Sequence, residues 1–372
     1  MTHICFIAIN IYPVLVKDSG LDFVGGAEVQ QTVQMRALQR AGYKVSVLVK
    51  DVGQADVVDC DGISIHKIPD SANRGLPGTR FFYPRMSDTL RLLRQLSPDI
   101  VFIQTAGEQV ASAALYARLA GKRFVFAGAS DPDFALGPLP GMPPQHAFMY
   151  RQGLKAAHAV IAQNTAQLDM LKANFGWDGH LIQNGYAEDN AQPGSFNGHI
   201  LWAATVKPQK HPERFIELAK QLPDRRFVMV GGPCVDADAD RYIESIARAA
   251  ADVPNLEMAG HVPYAQVGAY FDGAALSVNT SDYEGFPNTF MQAWLRGIPT
   301  ASFVRPESAP GVTGTLACSN LGEMAERLRR LTRHELDWSS ASQACQSHFQ
   351  KFHTIDQAVE RYEAVFSEVL AS

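Results

Sequence analysis

The run ALSVNTSDYEGFPNTFMQAWLRGIPT, residues 275–300, places a strand, a polar loop and a helix in immediate succession. Residues 275–278 are small and apolar enough for a strand covered on both faces. Residues 279–289 are polar and carry Gly285 and Pro287, and 290–296 resume as a helix that Gly297 and Pro299 close. A further apolar run follows at 300–303. Strand, loop, helix and strand at this spacing form a βαβ crossover, which sets its two strands parallel. The fold class expected is therefore α/β.

The same alternation extends in both directions. Upstream in the second half, strands are expected at 200–203, 227–230 and 256–258. The first half begins with an apolar run at 4–16, read as a buried first strand with its continuous part at 4–9. After Gly25 and Gly26, Val29, Val33, Ala37, Leu38 and Ala41 recur at helical spacing, and Gly42 stands where a left-handed cap is expected. Strands at 43–49, 63–68, 100–103, 124–127 and 159–162 then alternate with helices at 87–96, 111–119, 148–156 and up to about 174. Asn184 and Gly185 open a polar stretch that interrupts the pattern. The expected organisation is a domain over 1–184, a linker over 185–198, a second domain over 199–354 and a helix over 355–372. In that helix Val359, Tyr362, Val365, Phe366 and Val369 form one apolar stripe that needs a partner surface.

Composition narrows the function classes. The 372 residues are 46% hydrophobic and 19% charged, which is ordinary globular usage. A net charge of -5 argues against a general nucleic-acid binder, which needs a basic face. The five cysteines are scattered and include no C-x-x-C pair, and the histidines lack metal-ligand spacing. A reducing, cytoplasmic location and no metal or cofactor are the expectations. The 4–16 run is too short to span a bilayer and lacks a basic leader.

In open α/β sheets ligands bind beyond the carboxyl ends of the strands. Four loops at such ends carry candidate chemistry. Glu284 precedes the 290–296 helix, with Phe286, Pro287, Asn288 and Thr289 between them. Asn288 is expected to cap that helix, whose free N–H groups suit a phosphate. For a lone Glu in this place, complementing the helix dipole is the plainer reading. Lys207 and Lys210 follow the 200–203 strand, where a solvated basic turn is the alternative. Gly25 and Gly26 follow the first strand and would let backbone N–H groups approach a phosphate. Asp131 follows the 124–127 strand, suited either to act on a hydroxyl or to cap the next turn. No dinucleotide or P-loop glycine pattern occurs. Arg74, Arg80, Arg85, Arg91 and Arg94 interleave with Phe81, Phe82 and Tyr83, as on an exposed basic helix face.

Glu284-Gly285-Phe286-Pro287-Asn288-Thr289, with Gln292-Ala293-Trp294 and Gly297-Ile298-Pro299, resembles the signature of GT-B glycosyltransferases, specifically family four. The resemblance runs in order through nearly the whole chain. It implies two Rossmann-like, doubly wound domains facing across a cleft, with the terminal helix crossing back to the first. It implies a nucleotide-diphosphate sugar as donor, held by Gly25, Gly26, Lys207, Lys210, Gly231, Gly232, Val262, Gly285, Phe286, Pro287, Asn288, Thr289 and Gln292. Glu284 is then the residue on the sugar, and Lys210 the pyrophosphate lysine. Two family positions differ: Gln292 stands for the second Glu, which reaches the ribose, and Thr205 for an Arg. Asp131 stands near the place of a family His.

Transfer to an acceptor hydroxyl, with retention and without metal, is the implied reaction, in polysaccharide or glycolipid assembly. The acceptor is a glycan or a lipid-linked sugar, and residues 74–94 are a candidate for peripheral membrane contact. Two other readings share the architecture: a non-catalytic nucleotide or glycan binder, and a nucleotide-sugar epimerase.

Overall fold

The structure, a computed structural model, describes residues 1–16, 25–70, 80–139, 142–232, 239–284, 286–304 and 315–372. The chain divides into two compact units. Residues 1–185 with 355–372 make unit 1, and 186–354 make unit 2.

Unit 1 contains strands β1 (His3–Ile7), β2 (Lys44–Lys50), β3 (Val57–Cys60), β4 (Ile63–Ile68), β5 (Ile100–Gln104), β6 (Arg123–Ala127), β7 (Ala159–Ala162) and β8 (His180–Leu181). They form one sheet in the order β3-β4-β2-β1-β5-β6-β7-β8. Every pairing is parallel except β3 with β4. The central strands are buried along their whole length, as their unbroken apolar runs require. Helices α1 (Tyr12–Leu15), α2 (Gly26–Arg40), α3 (Ser87–Leu96), α4 (Gln109–Ala120), α5 (Pro144–Leu154) and α6 (Thr165–Phe175) complete this part.

Unit 2 contains β9 (Ile200–Ala203), β10 (Phe227–Val230), β11 (Leu256–Gly260), β12 (Leu276–Asn279), β13 (Thr300–Ser302) and β14 (Thr315–Ala317). Their order is β11-β10-β9-β12-β13-β14 and all pairings are parallel. Its helices are α7 (Pro212–Gln221), α8 (Ala239–Ala251), α9 (Tyr264–Phe271), α10 (Asn288–Leu295), α11 (Leu321–Arg333) and α12 (Glu335–Phe352). One core holds the sheet, with Trp202, Phe215 and Phe227 fully buried at its centre.

The last helix, α13 (Ile355–Ala371), packs on unit 1. Its stripe of Tyr362, Val365, Phe366 and Val369 joins the cluster that includes Phe6, Phe102 and the apolar face of α2. Phe102 meets the rings of Tyr362 and Phe366 edge-on at 5.9 and 6.3 Å. This stripe answers the need for a partner surface that its spacing announced.

Three boundaries differ from the sequence reading. The 4–16 run is not one strand: β1 ends at Ile7 and α1 follows, because Pro13 fits the first turn of a helix and cannot donate to a sheet. Helix α5 starts at Pro144 rather than 148, for the same reason. Pro287 caps α10, and Asn288 is the first residue inside the helix rather than its cap. No helix among the described residues is long and apolar enough to cross a membrane.

Candidate functional site

In unit 2 the loops after β9 and β12 are tied together by their backbones and side chains. The Thr280 hydroxyl donates to the Lys210 carbonyl at 2.6 Å and accepts from the buried Trp202 indole at 2.9 Å. The Gln209 amide donates to the Tyr283 carbonyl at 3.1 Å. These bonds bring Lys210 against Glu284, and its ammonium donates to the Glu284 Oε1. The same oxygen accepts from the Ser281 hydroxyl at 2.6 Å and the Asn279 amide at 3.3 Å. Lys210 and Glu284 keep only 17% and 11% of their side-chain surface exposed, so their attraction is less screened than that of a surface pair. Two residues that the motif reading singled out separately are thus one charged unit.

A second group borders it. His211 adopts a left-handed backbone conformation, φ 47°, and joins Glu213 at 2.7 Å and Asp282 at 2.6 Å through its two ring nitrogens. Arg214 donates to the Asp282 carboxylate at 2.8 Å. Burial pulls the His211 pKa down, but its hydrogen bonds to Glu213 and Asp282 outweigh this and leave it raised. Lys207 starts the short turn at 208–210 and is half-buried, with no ion pair among the described residues. Five positions before the start of α7, it extends the basic side of this loop.

Gly231 and Gly232 follow β10. A Cβ on Gly231 would lie 1.9 Å from the Ala204 carbonyl oxygen, and one on Gly232 would lie 2.7 Å from the His261 ring. Close approach of neighbouring chain therefore explains both glycines without a ligand. Val262 is half-buried between the exposed residues His261 and Pro263. Phe286 is buried against His353 and Trp294, with ring centroids 4.8 and 6.0 Å away, and anchors the loop before α10. Pro287 is buried, and Asn288 and Thr289 are half-buried at the helix start. Gly285 lies outside the described residues, as do Arg74 and Pro233.

Gln292 faces a buried network. Its amide donates to the Tyr186 hydroxyl at 3.1 Å, and that hydroxyl donates to Glu188 at 3.0 Å. Arg296, fully buried, grips both Glu188 oxygens at 2.7 and 3.1 Å and donates to Asp272 at 2.7 Å. Burial raises the pKa of the Tyr186 hydroxyl, and the nearby Tyr264 and Glu188 add to the shift. Tyr186, Glu188, Asp272 and Arg296 were not picked out from sequence, since nothing local marks residues so far apart as partners. Asn279, Thr280 and Ser281 stand at the end of β12 and in the loop after it, where the sequence alone gives them no role.

In unit 1, Gly25 caps α2 and Gly26 is its exposed first residue. The Glu28 carboxylate folds back so closely that a Cβ on Gly25 would lie 2.1 Å from it. Burial raises the Glu28 pKa, against the hydrogen bond it accepts from its own amide. Asp131 begins a 3-10 turn after β6, and one of its oxygens accepts from the buried Gln167 amide at 3.2 Å. The capping work falls to Ser130 and Asp133 instead, the latter accepting from the amides of Ala129, Ser130 and Ala106. Among the arginines, Arg85 pairs with Glu108 at 2.9 Å and Arg91 with Asp88 at 3.5 Å, while Phe82 and Tyr83 are exposed. No cluster of three or more potential metal ligands occurs among the described residues.

Residues 24–189 match the family described as Glycosyltransferase Family 4, and residues 197–334 match that described as Glycosyl transferases group 1. A comparison with curated protein sequences gives no match. Among solved structures, sucrose-phosphate synthase from Thermosynechococcus elongatus is similar at TM-score 0.79 and 14% identity, over 100% of both chains. HepE from Anabaena in complex with UDP-glucose is similar at 0.72 and 13%, over 99% of this chain and 100% of that one. The catalytic domain of starch synthase IV from Arabidopsis thaliana, bound to ADP and acarbose, is similar at 0.71 and 15%, over 100% of both. At these identities the likeness speaks for the fold, and the family matches, which between them span most of the sequence, speak for descent. The chain is a glycosyltransferase of the GT-B fold and belongs to family four.

Proposed function

We propose that this glycosyltransferase moves a sugar from a nucleoside-diphosphate donor to an acceptor hydroxyl, with retention of anomeric configuration and without a metal ion. The observation that carries the reading is the Lys210–Glu284 pair beside Ser281 at the carboxyl ends of β9 and β12. It sets a cation for the diphosphate next to a carboxylate for the sugar. Lys207, Lys210 and the first amides of α10 would stabilise the departing diphosphate electrostatically. Glu284 would fix the sugar hydroxyls so that the acceptor attacks on the face the diphosphate leaves. Asp131, in unit 1, is the candidate group for the acceptor hydroxyl. The Anabaena protein is in complex with UDP-glucose and the Arabidopsis one is bound to ADP, which makes UDP- and ADP-sugars the first donors to try. A polysaccharide or glycolipid is the acceptor class proposed.

Gln292 does not enter this donor site in our reading, because its amide is engaged by Tyr186. Contact with an anionic membrane through residues 74–94 rests on exposed Phe82 and Tyr83 near Arg80 and Arg85. The test is release of nucleoside diphosphate from a panel of nucleotide sugars, with and without EDTA, and NMR of the product anomer. Activity that survives EDTA and gives the donor's anomer supports the reading. Loss with EDTA, or an inverted product, refutes the corresponding part.

A further inference from the structure

We propose that Ser281 and Asn279 are positioning residues that keep the Glu284 carboxylate in place when Lys210 turns from it to a donor diphosphate. The inference rests on the function proposed above and adds two residues to it. All three donors, Lys210, Ser281 and Asn279, meet on one oxygen, Oε1, and leave Oε2 without a partner among the described residues. Ser281 and Asn279 are 1% and 8% exposed, so neither hydroxyl nor amide trades freely with water. Asn279 also fixes Ser281, accepting its backbone N–H at 3.0 Å. Thr280 between them serves the opposite partner, the Lys210 carbonyl.

This arrangement solves a problem inherent in the pair. A lysine whose only strong partner is a carboxylate has to exchange that partner for phosphate when the donor binds. The carboxylate then stands half-buried beside a dianionic group, and repulsion drives it away from the sugar. Two neutral donors on Oε1 compensate the charge without competing for the phosphate. The backbone bond from Thr280 meanwhile holds the lysine loop, so the side chain turns and its base stays fixed.

The experiment combines a stability cycle with kinetics. Lys210→Ala, Ser281→Ala and their double variant are compared by thermal denaturation without donor. A double-variant loss larger than the sum of the single losses is expected, because either partner alone still holds the carboxylate. In parallel, Ser281→Ala and Asn279→Ser are expected to lower kcat for donor consumption roughly tenfold while nucleoside-diphosphate affinity and donor KM change by less than about twofold. Ser281→Thr restores most of kcat. Ser281→Cys, which keeps the shape with a slightly larger atom and weakens the donor, shows the same split if Ser281→Ala does not fold. Additive stability losses overturn the proposal, and so does a parallel fall of affinity and kcat. If the cycle shows coupling and the wild type consumes no nucleotide sugar, the positioning of Glu284 stands and the transferase reaction alone is refuted.

Discussion

Replacing Gln292 with Glu restores the residue that the family motif carries, yet the structure predicts that it harms this protein. Gln292 is 3% exposed, and its amide donates to Tyr186, whose own proton goes to Glu188. One buried guanidinium, Arg296, already serves the carboxylates of Glu188 and Asp272. An ionised Glu at 292 has no proton for Tyr186 and adds a third carboxylate to that one cation. Keeping the charge costs about 3–5 kcal/mol as an uncompensated buried ion. Taking up a proton lets the new side chain donate as the amide did, and lifting a carboxyl from about 4.3 to above 7 costs about 1.4 kcal/mol per pH unit, or ~4 kcal/mol at neutral pH.

The sign follows from linkage. A carboxyl whose folded-state pKa is raised makes the folded state bind more protons, so the penalty is absent below about pH 4 and grows as pH rises toward the raised value. At pH 5 it is about 1 kcal/mol and at pH 7.5 about 4. With about 2–4 °C per kcal/mol for a unit of this size, the Tm gap between wild type and Gln292→Glu should widen by roughly 6–12 °C over that range. Thermal denaturation at a series of pH values measures it, with Gln292→Met as a control whose loss is flat in pH. A Gln292→Glu protein as stable as wild type at pH 7.5, with tighter nucleotide binding, would refute the reasoning and put residue 292 on the nucleotide.

His211 supplies a second pH effect. Its raised folded pKa contributes stability that is complete below about 6.5 and is lost as pH rises past that value, so wild type should lose Tm relative to His211→Asn across the neutral range. An unchanged difference from pH 6 to 9 would contradict the pairing with Glu213 and Asp282. The glycines should separate by what their Cβ meets. Gly231→Ala drives a methyl into the Ala204 carbonyl and should cost about 1–3 kcal/mol or more in denaturant unfolding, whereas Gly25→Ala displaces only the end of the Glu28 side chain and should cost less. Equal losses would argue against the close approach at Gly231. Phe366→Ala removes a fully buried ring from the face of unit 1 and should cost about 3–5 kcal/mol, and a loss below 1 kcal/mol would show that α13 is not part of that core.

Strands that cross the middle of each sheet were legible because burial on both faces writes an unbroken apolar run, as at 100–103 and 227–230. The edge strand β3 was not, since Val57–Cys60 alternates exposed and half-buried residues and contains Asp59. Strand β8, two residues long, has no pattern to read. Glu284 and Lys210 were both legible as loop residues at strand ends, but their contact was not. It depends on Thr280 and Gln209 drawing together loops seventy or more positions apart. Gln292 was legible as an amide on α10 and misleading as to its direction, because Tyr186, which turns it inward, precedes the whole of unit 2's sheet. A motif fixes which side chains are present, while long-range hydrogen bonds decide where they point.

The measurement that bears most directly on the central claim is nucleoside-diphosphate release from UDP-, ADP- and GDP-sugars by wild type, Lys210→Ala and Glu284→Ala, all verified as folded by their thermal transitions. The account predicts turnover of at least one donor by wild type. It predicts a rise in donor KM together with a fall in kcat with Lys210→Ala, and a fall of roughly 100-fold or more in kcat with Glu284→Ala. Folded variants that release the diphosphate as fast as wild type would contradict it.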